Sequence, residues 1–133
     1  KLAVNTHSCV NAATQFAGIA ALEGPQDAVG EMVAAFDQRR QRMVALLNDM
    51  PGVSCVMPKG AFYAFPNITG TGIGSGTLQD RLLQETGVAA IAGTSFGRFG
   101  EGYLRFSCAS SIENIEEAMV RMKRWLSENI ASA

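Results

Sequence analysis

The chain predicts an α/β fold of the α+β sandwich kind, a small mixed or antiparallel sheet of about four strands covered by helices. Several observations lead there. Apolar residues recur at spacings of three and four in four separate segments, short β-branched or aromatic runs lie between them, and 47% of the 133 residues are apolar. That supply fills a core, and the length allows one ordinary domain, so the chain is treated as a single domain over residues 1–133.

The elements follow in the order α-α-β-β-α-β-β-α. Val10, Ala13, Phe16, Ala17, Ala20 and Ala21 share a helical stripe that Gly24 and Pro25 stop, which predicts a first helix over residues 9–23. Val29, Met32, Val33, Phe36, Met43, Val44 and Leu47 form a second stripe, a long amphipathic helix over 26–49 closed by Pro51 and Gly52. Val53 to Met57 and Ala61 to Phe65, separated by Pro58-Lys59-Gly60, read as a β-hairpin.

Thr77-Leu78-Gln79-Asp80 resembles a cap, Leu78, Leu82 and Leu83 share a face, and Gly87 ends this short third helix. Val88 to Ile91 is a short strand. A loop holding Gly93, Gly97, Gly100 and Gly102 then leads to the strand Tyr103 to Cys108, and a loop of that length must act or be held. Ser110-Ser111-Ile112-Glu113 reads as a capping box, and Ile115, Ala118, Met119, Met122, Leu126 and Ile130 carry the last helix.

Eleven basic and twelve acidic side chains give a net charge of -1, which argues against nucleic acid and anionic membrane surfaces as partners. No apolar run reaches the ~20 residues of a spanning helix. Cys9, Cys55 and Cys108 are distant and odd in number, the pattern of buried free thiols in a reducing compartment, so a cytoplasmic location is expected. The opening Lys1-Leu2-Ala3-Val4 reads as the middle of a longer protein. A fragment would expose an apolar strip, drawn from Val4, Val10, Phe16 and Ile19.

Gly70 to Gly76 lies between a strand and a helix yet fits neither the dinucleotide fingerprint nor the P-loop, and reads as a flexible connection. His7 is the one histidine, so no multi-histidine metal site is assembled within the chain, and no metal is expected. Asn67-Ile68-Thr69 matches a glycosylation sequon by pattern alone. Arg105 stands out. Alternation puts Leu104, Phe106 and Cys108 on one face of its strand and Tyr103, Arg105 and Ser107 on the other. A guanidinium there is a fork for a carboxylate, or else a member of a structural ion pair or a solvated face.

Pro58 to Phe65, then Val88 to Gly97, then Gly100 to Ser107 resemble, in that order, the C-terminal part of class I pyridoxal-phosphate aminotransferases. Thr6 to Asn11, the Gln15 to Leu22 helix with Glu23-Gly24-Pro25, and the Arg39-Arg40 region are similar to the aspartate and aromatic branch of that family. The resemblance implies the small C-terminal domain of an enzyme that moves an amino group between an amino acid and a 2-oxo acid, working as a homodimer. It implies that Arg105 grips the substrate α-carboxylate, that Phe62 walls the pocket beside it, and that Thr6 to Asn11 approaches the partner subunit's site. None of Lys1, Lys59 and Lys123 has the neighbours of the family's Schiff-base lysine, so that lysine and the pyridoxal phosphate ligands are expected upstream, with no catalytic or cofactor-binding residue here. The residues also leave open a stand-alone carboxylate-binding module, or the small domain of a related pyridoxal-phosphate lyase or acyl transferase.

Overall fold

The computed structural model describes residues 1–7 and 9–130, apart from the Val4 side chain. Ser8 of the Thr6 to Asn11 segment, and Val4 as a member of the apolar strip, lie outside the described residues. Two compact units divide the chain, residues 1–33 and 34–133.

The first unit is helical. A short α1 spans Leu2–Thr6, which the sequence did not predict, and α2 spans Ala12–Glu23. The Asn11 side chain accepts the Ala13 N–H at 2.8 Å, so α2 starts later than the apolar stripe suggested. Its end is tied by Gln26, whose amide donates to the carbonyls of Ala21 and Gly24 at 3.0 and 2.9 Å. No residue of α2 is buried. Val10, Phe16, Ile19 and Leu22 are all exposed, and so is Cys9, correcting the expectation that all three thiols are buried.

Helix α3, Asp27–Asn48, supplies the second unit with Met43, Val44 and Leu47 from its later turns. Against them pack Ile115, Met119, Met122, Trp125 and Leu126 of α5, Ile112–Asn129, at the three and four spacing the sequence shows. Helix α5 is capped by Ser111, whose Oγ accepts the Asn114 N–H at 3.2 Å, one residue later than the predicted box.

The sheet has three antiparallel strands, where about four were expected. They are β1 (Tyr63–Ala64), β2 (Ile91–Ala92) and β3 (Leu104–Ser107), in the order β1-β3-β2. Tyr63 pairs with Ser107 and Ala64 with Phe106, while Ile91 pairs with Arg105 and Ala92 with Leu104. The predicted hairpin does not form. Asn48 competes for its first arm: its side chain accepts the Cys55 N–H at 2.7 Å and donates to the Cys55 carbonyl at 3.0 Å, so a neighbouring strand is not needed there. One bridge, Ser54 to Asn67, is what remains of the pairing.

The third helix begins at Ser75 rather than at the predicted Thr77 cap. It runs as α4, Ser75–Arg81, and widens into a π turn over Leu82–Thr86 before Gly87 closes it with φ of 72°. Glu85 clasps it to α5, accepting from Arg81 Nε at 2.8 Å and Trp125 Nε1 at 2.6 Å, while the Arg81 guanidinium lies 4.4 Å from the Trp125 ring centre. Leu78 and Leu82 enter the core with Ala64, Leu104 and Phe106 from the sheet. Among the described residues, no helix is long and apolar enough to cross a membrane.

Candidate functional site

Strand β3 sorts its side chains as the alternation predicts. Leu104, Phe106 and Cys108 face the core, Tyr103 and Arg105 are half-buried on the other face, and Ser107 is exposed. Burial pushes the Cys55 and Cys108 thiols above their usual range, which marks them as inert core groups.

The Arg105 guanidinium carbon sits 4.3 Å from the centre of the Tyr63 ring and 4.5 Å from that of Phe96. Tyr63 arrives from β1 and Phe96 from the turn after β2, on opposite sides of β3. Among the described residues no carboxylate pairs with Arg105, and none accepts a hydrogen bond from its guanidinium. A groove of about 200 Å³ opens beside it, lined by Ala89, Ala90, Ile91 and Ser107. The ion-pair reading of Arg105 therefore has no partner here, and a planar fork is left free toward an apolar-walled groove.

The glycine-rich loop is held. It folds into tight turns over Gly93–Phe96 and Arg98–Gly100, with the Gly93 N–H donating to the Tyr103 carbonyl at 2.8 Å. Gly93 and Gly100 touch so closely that a Cβ on Gly100 would lie 1.9 Å from the Gly93 carbonyl oxygen. Next along the chain, Glu101 accepts the Ser75 N–H at 2.9 Å and the Ser75 hydroxyl at 2.8 Å. The Ser75 N–H, then its hydroxyl, then the Gly102 N–H hold the Glu101 carboxyl below the usual range. The segment from Gly70 to Gly76 thus ends in a helix start whose anion is the chain's own Glu101.

Phe62 is 42% exposed. Its ring lies 4.3 Å from Tyr63 and 6.1 Å from Phe36, centre to centre, so it adjoins the ring that faces Arg105. The turn before it is anchored by Arg40, which donates to the Pro58 carbonyl and pairs with Asp37. Ala61 in that turn has φ of 59°, a left-handed position unusual for alanine. Phe65 stacks on Tyr103 at 5.2 Å and meets the edge of Phe96 at 6.3 Å. Sequence reasoning missed Tyr63 and Phe96 as neighbours of the arginine. A lone large ring in a Gly-Thr-Ser-Phe-Gly loop was the available signal for Phe96. Strand register, not chain proximity, delivers Tyr63.

A short antiparallel sheet with one face in the core, and helices packed against that face, defines a small α/β domain. The chain belongs to the aminotransferase class I and II family, whose model matches residues 2–122. It is 47% identical over 114 residues to an aspartate aminotransferase of Pyrococcus horikoshii, covering 84% of this chain and 29% of that protein. It is 42% identical over 116 residues to aromatic-amino-acid aminotransferase 2 of Thermococcus litoralis, covering 86% and 30%. Among solved structures, alanine aminotransferase from Pyrococcus furiosus superposes with a TM-score of 0.85 at 36% identity, covering 90% of this chain and 31% of that one. The chain thus spans about a third or less of the length of these relatives.

The pyridoxal phosphate that the family implies does not fit the residues present. Its anchoring lysine must be desolvated and placed. Lys1 and Lys59 are exposed, and Lys123 Nζ is paired with Asp49 at 2.6 Å on the outer side of α5.

Proposed function

We propose that this chain is the small C-terminal domain of an aminotransferase that moves an amino group between an amino acid and a 2-oxo acid, and that Arg105 binds the substrate α-carboxylate. The observation that carries this reading is the free, half-buried Arg105 fork at the groove formed by Ala89, Ala90, Ile91 and Ser107. A planar guanidinium matches a carboxylate through two parallel N–H donors, and fixing the carboxylate orients the reacting carbon. Phe62 contributes an apolar wall one ring further along. The lysine and the other pyridoxal phosphate ligands belong to the part of such an enzyme that this chain does not span, and the cofactor's chemistry is supplied there. The intact protein is a cytoplasmic homodimer in this reading. The apolar side chains of α2, none of them buried within residues 1–33, are then covered by the rest of the enzyme.

The test is Arg105→Ala and Arg105→Lys in the full-length enzyme. Truncating one partner of a buried charge pair costs about 2 to 5 kcal/mol. At about 1.4 kcal/mol per decade, kcat/KM for Arg105→Ala falls by roughly 30-fold to several thousand-fold. Arg105→Lys keeps the charge without the fork and falls less. An Arg105→Ala enzyme that unfolds more easily but turns over normally when folded makes Arg105 a structural residue and places the carboxylate site elsewhere.

A further inference from the structure

We infer that Tyr63 and Phe96 are positioning residues that fix the guanidinium plane of Arg105, so that its N–H edge faces the groove. This inference rests on the reading of Arg105 as the carboxylate ligand. Arginine has several rotatable bonds, and a neighbouring acid held bidentately is one way to fix its orientation. Here, among the described residues, no acid pairs with Arg105, and the aromatic rings 4.3 and 4.5 Å from its central carbon take that place. Rings contact a guanidinium through its faces, whereas a carboxylate binds in its plane. The two interactions are therefore compatible: rings on the faces leave the N–H edge free.

Tyr63 also touches Phe62, and Phe96 the edge of Phe65, but both rings come nearest a charge at Arg105. Neither belongs to the core, and Phe96 is 52% exposed on a turn that the Gly93 and Gly100 contact pins in place. A Phe that is half exposed contributes little to core packing, and of its two aromatic-range contacts the one to Arg105, at 4.5 Å, is shorter than the one to Phe65, at 6.3 Å. An acid in the same role would neutralise the arginine and compete with the substrate's carboxylate. Aromatic rings orient the charge and leave it available.

The experiment uses the full-length enzyme with Phe96→Leu, Tyr63→Leu and Tyr63→Phe, each alone and combined with Arg105→Ala, assayed by steady-state kinetics with thermal unfolding alongside. Phe96→Met is the second variant should Phe96→Leu not fold. The expected result is a rise in KM for the amino acid of about 5- to 30-fold in the Leu variants, with a smaller change in kcat. Tyr63→Phe, which keeps the ring, recovers most of the loss seen in Tyr63→Leu. In the Arg105→Ala background the ring substitutions add no further rise, because nothing remains to be oriented. Ring effects that add fully to Arg105→Ala overturn the inference. So does unchanged KM in Phe96→Leu and Tyr63→Leu while Arg105→Ala is impaired, an outcome that leaves the carboxylate reading intact. If Arg105→Ala itself has no effect, the carboxylate reading falls first, and this inference with it.

Discussion

Gly100→Ala tests whether the glycine-rich loop aims the site. A Cβ on Gly100 would lie 1.9 Å from the Gly93 carbonyl oxygen, while real Cβ contacts stay beyond 3.0 Å, so the two turns must separate by about 1.1 Å. The obstacle is backbone, not the mobile end of a side chain, and the relief has to come from the loop itself. Phe96 lies between these two glycines in the chain, so the displacement reaches the ring over Arg105. Backbone shifts of this kind cost typically 1–3 kcal/mol of stability. Displacing the ring can cost at most about what removing it costs, roughly 5- to 30-fold. In the full-length enzyme, Gly100→Ala is thus expected to lose up to that much in kcat/KM, more than its fall in unfolding temperature would explain at the assay temperature. Gly76→Ala is the control: nothing lies within 4 Å of its would-be Cβ, and in helix α4 an alanine stabilises by about 0.5–1 kcal/mol. A Gly100→Ala enzyme with normal stability and normal kcat/KM would refute the argument that this contact holds the ring.

Asn48→Ala removes, from an exposed side chain, both hydrogen bonds to the backbone of the buried Cys55, one to its N–H and one to its carbonyl. Each buried polar group left unmatched costs about 1–3 kcal/mol, so urea unfolding should show a loss of that order or somewhat more, and a loss below about 0.5 kcal/mol would show that water takes over Asn48's role. Acid lowers stability through Glu101 and Glu85. Both carboxyls are held below the usual range in the folded protein, Glu101 chiefly by the Ser75 N–H and Glu85 chiefly by Arg81. Their contribution is complete above the unfolded glutamate value of about 4.3 and is lost as pH falls from there through the lower folded values, because the unfolded chain binds the protons first. Glu101→Gln should flatten that acid limb in a pH series of thermal unfolding, and an unchanged limb would remove Glu101 from the account.

The elements that proved legible in the sequence are those written in local periodicity. The stripe Ile115, Met119, Met122 and Leu126 gave α5 its buried face, and the alternation around Leu104 and Phe106 put Arg105 on the opposite side of β3. What stayed hidden depends on contacts between distant residues. Val53 to Met57 has strand chemistry, yet Asn48, seven residues before Cys55, satisfies the backbone that a hairpin would have used. The start of α4 is set by Glu101, twenty-six residues downstream of Ser75, and no local cap signal reports that. Arg105 itself was legible because a charged residue interrupts an apolar strand. Its two rings were not, since one is brought by the β1 to β3 register and the other by the closure of a glycine loop.

The same division explains why the site sits where it does. The core of residues 34–133 needs only one face of β3, and Leu104, Phe106 and Cys108 provide it. The other face lies outside the core, so it can carry a half-buried, unneutralised charge that a core would not tolerate. The proposed carboxylate role of Arg105 requires a fixed orientation without a counter-ion, and short strands alone do not supply one. The loop from Gly93 to Glu101 does, through three ties: Gly93 against Gly100, the Gly93 N–H on the Tyr103 carbonyl, and Glu101 on Ser75. Each tie lies outside the groove beside Arg105, so each can be loosened by mutation without touching a groove-lining residue. The loop's glycines therefore act through backbone contact, as holders of Phe96, and their chemistry is steric where that of a phosphate-binding loop is electrostatic.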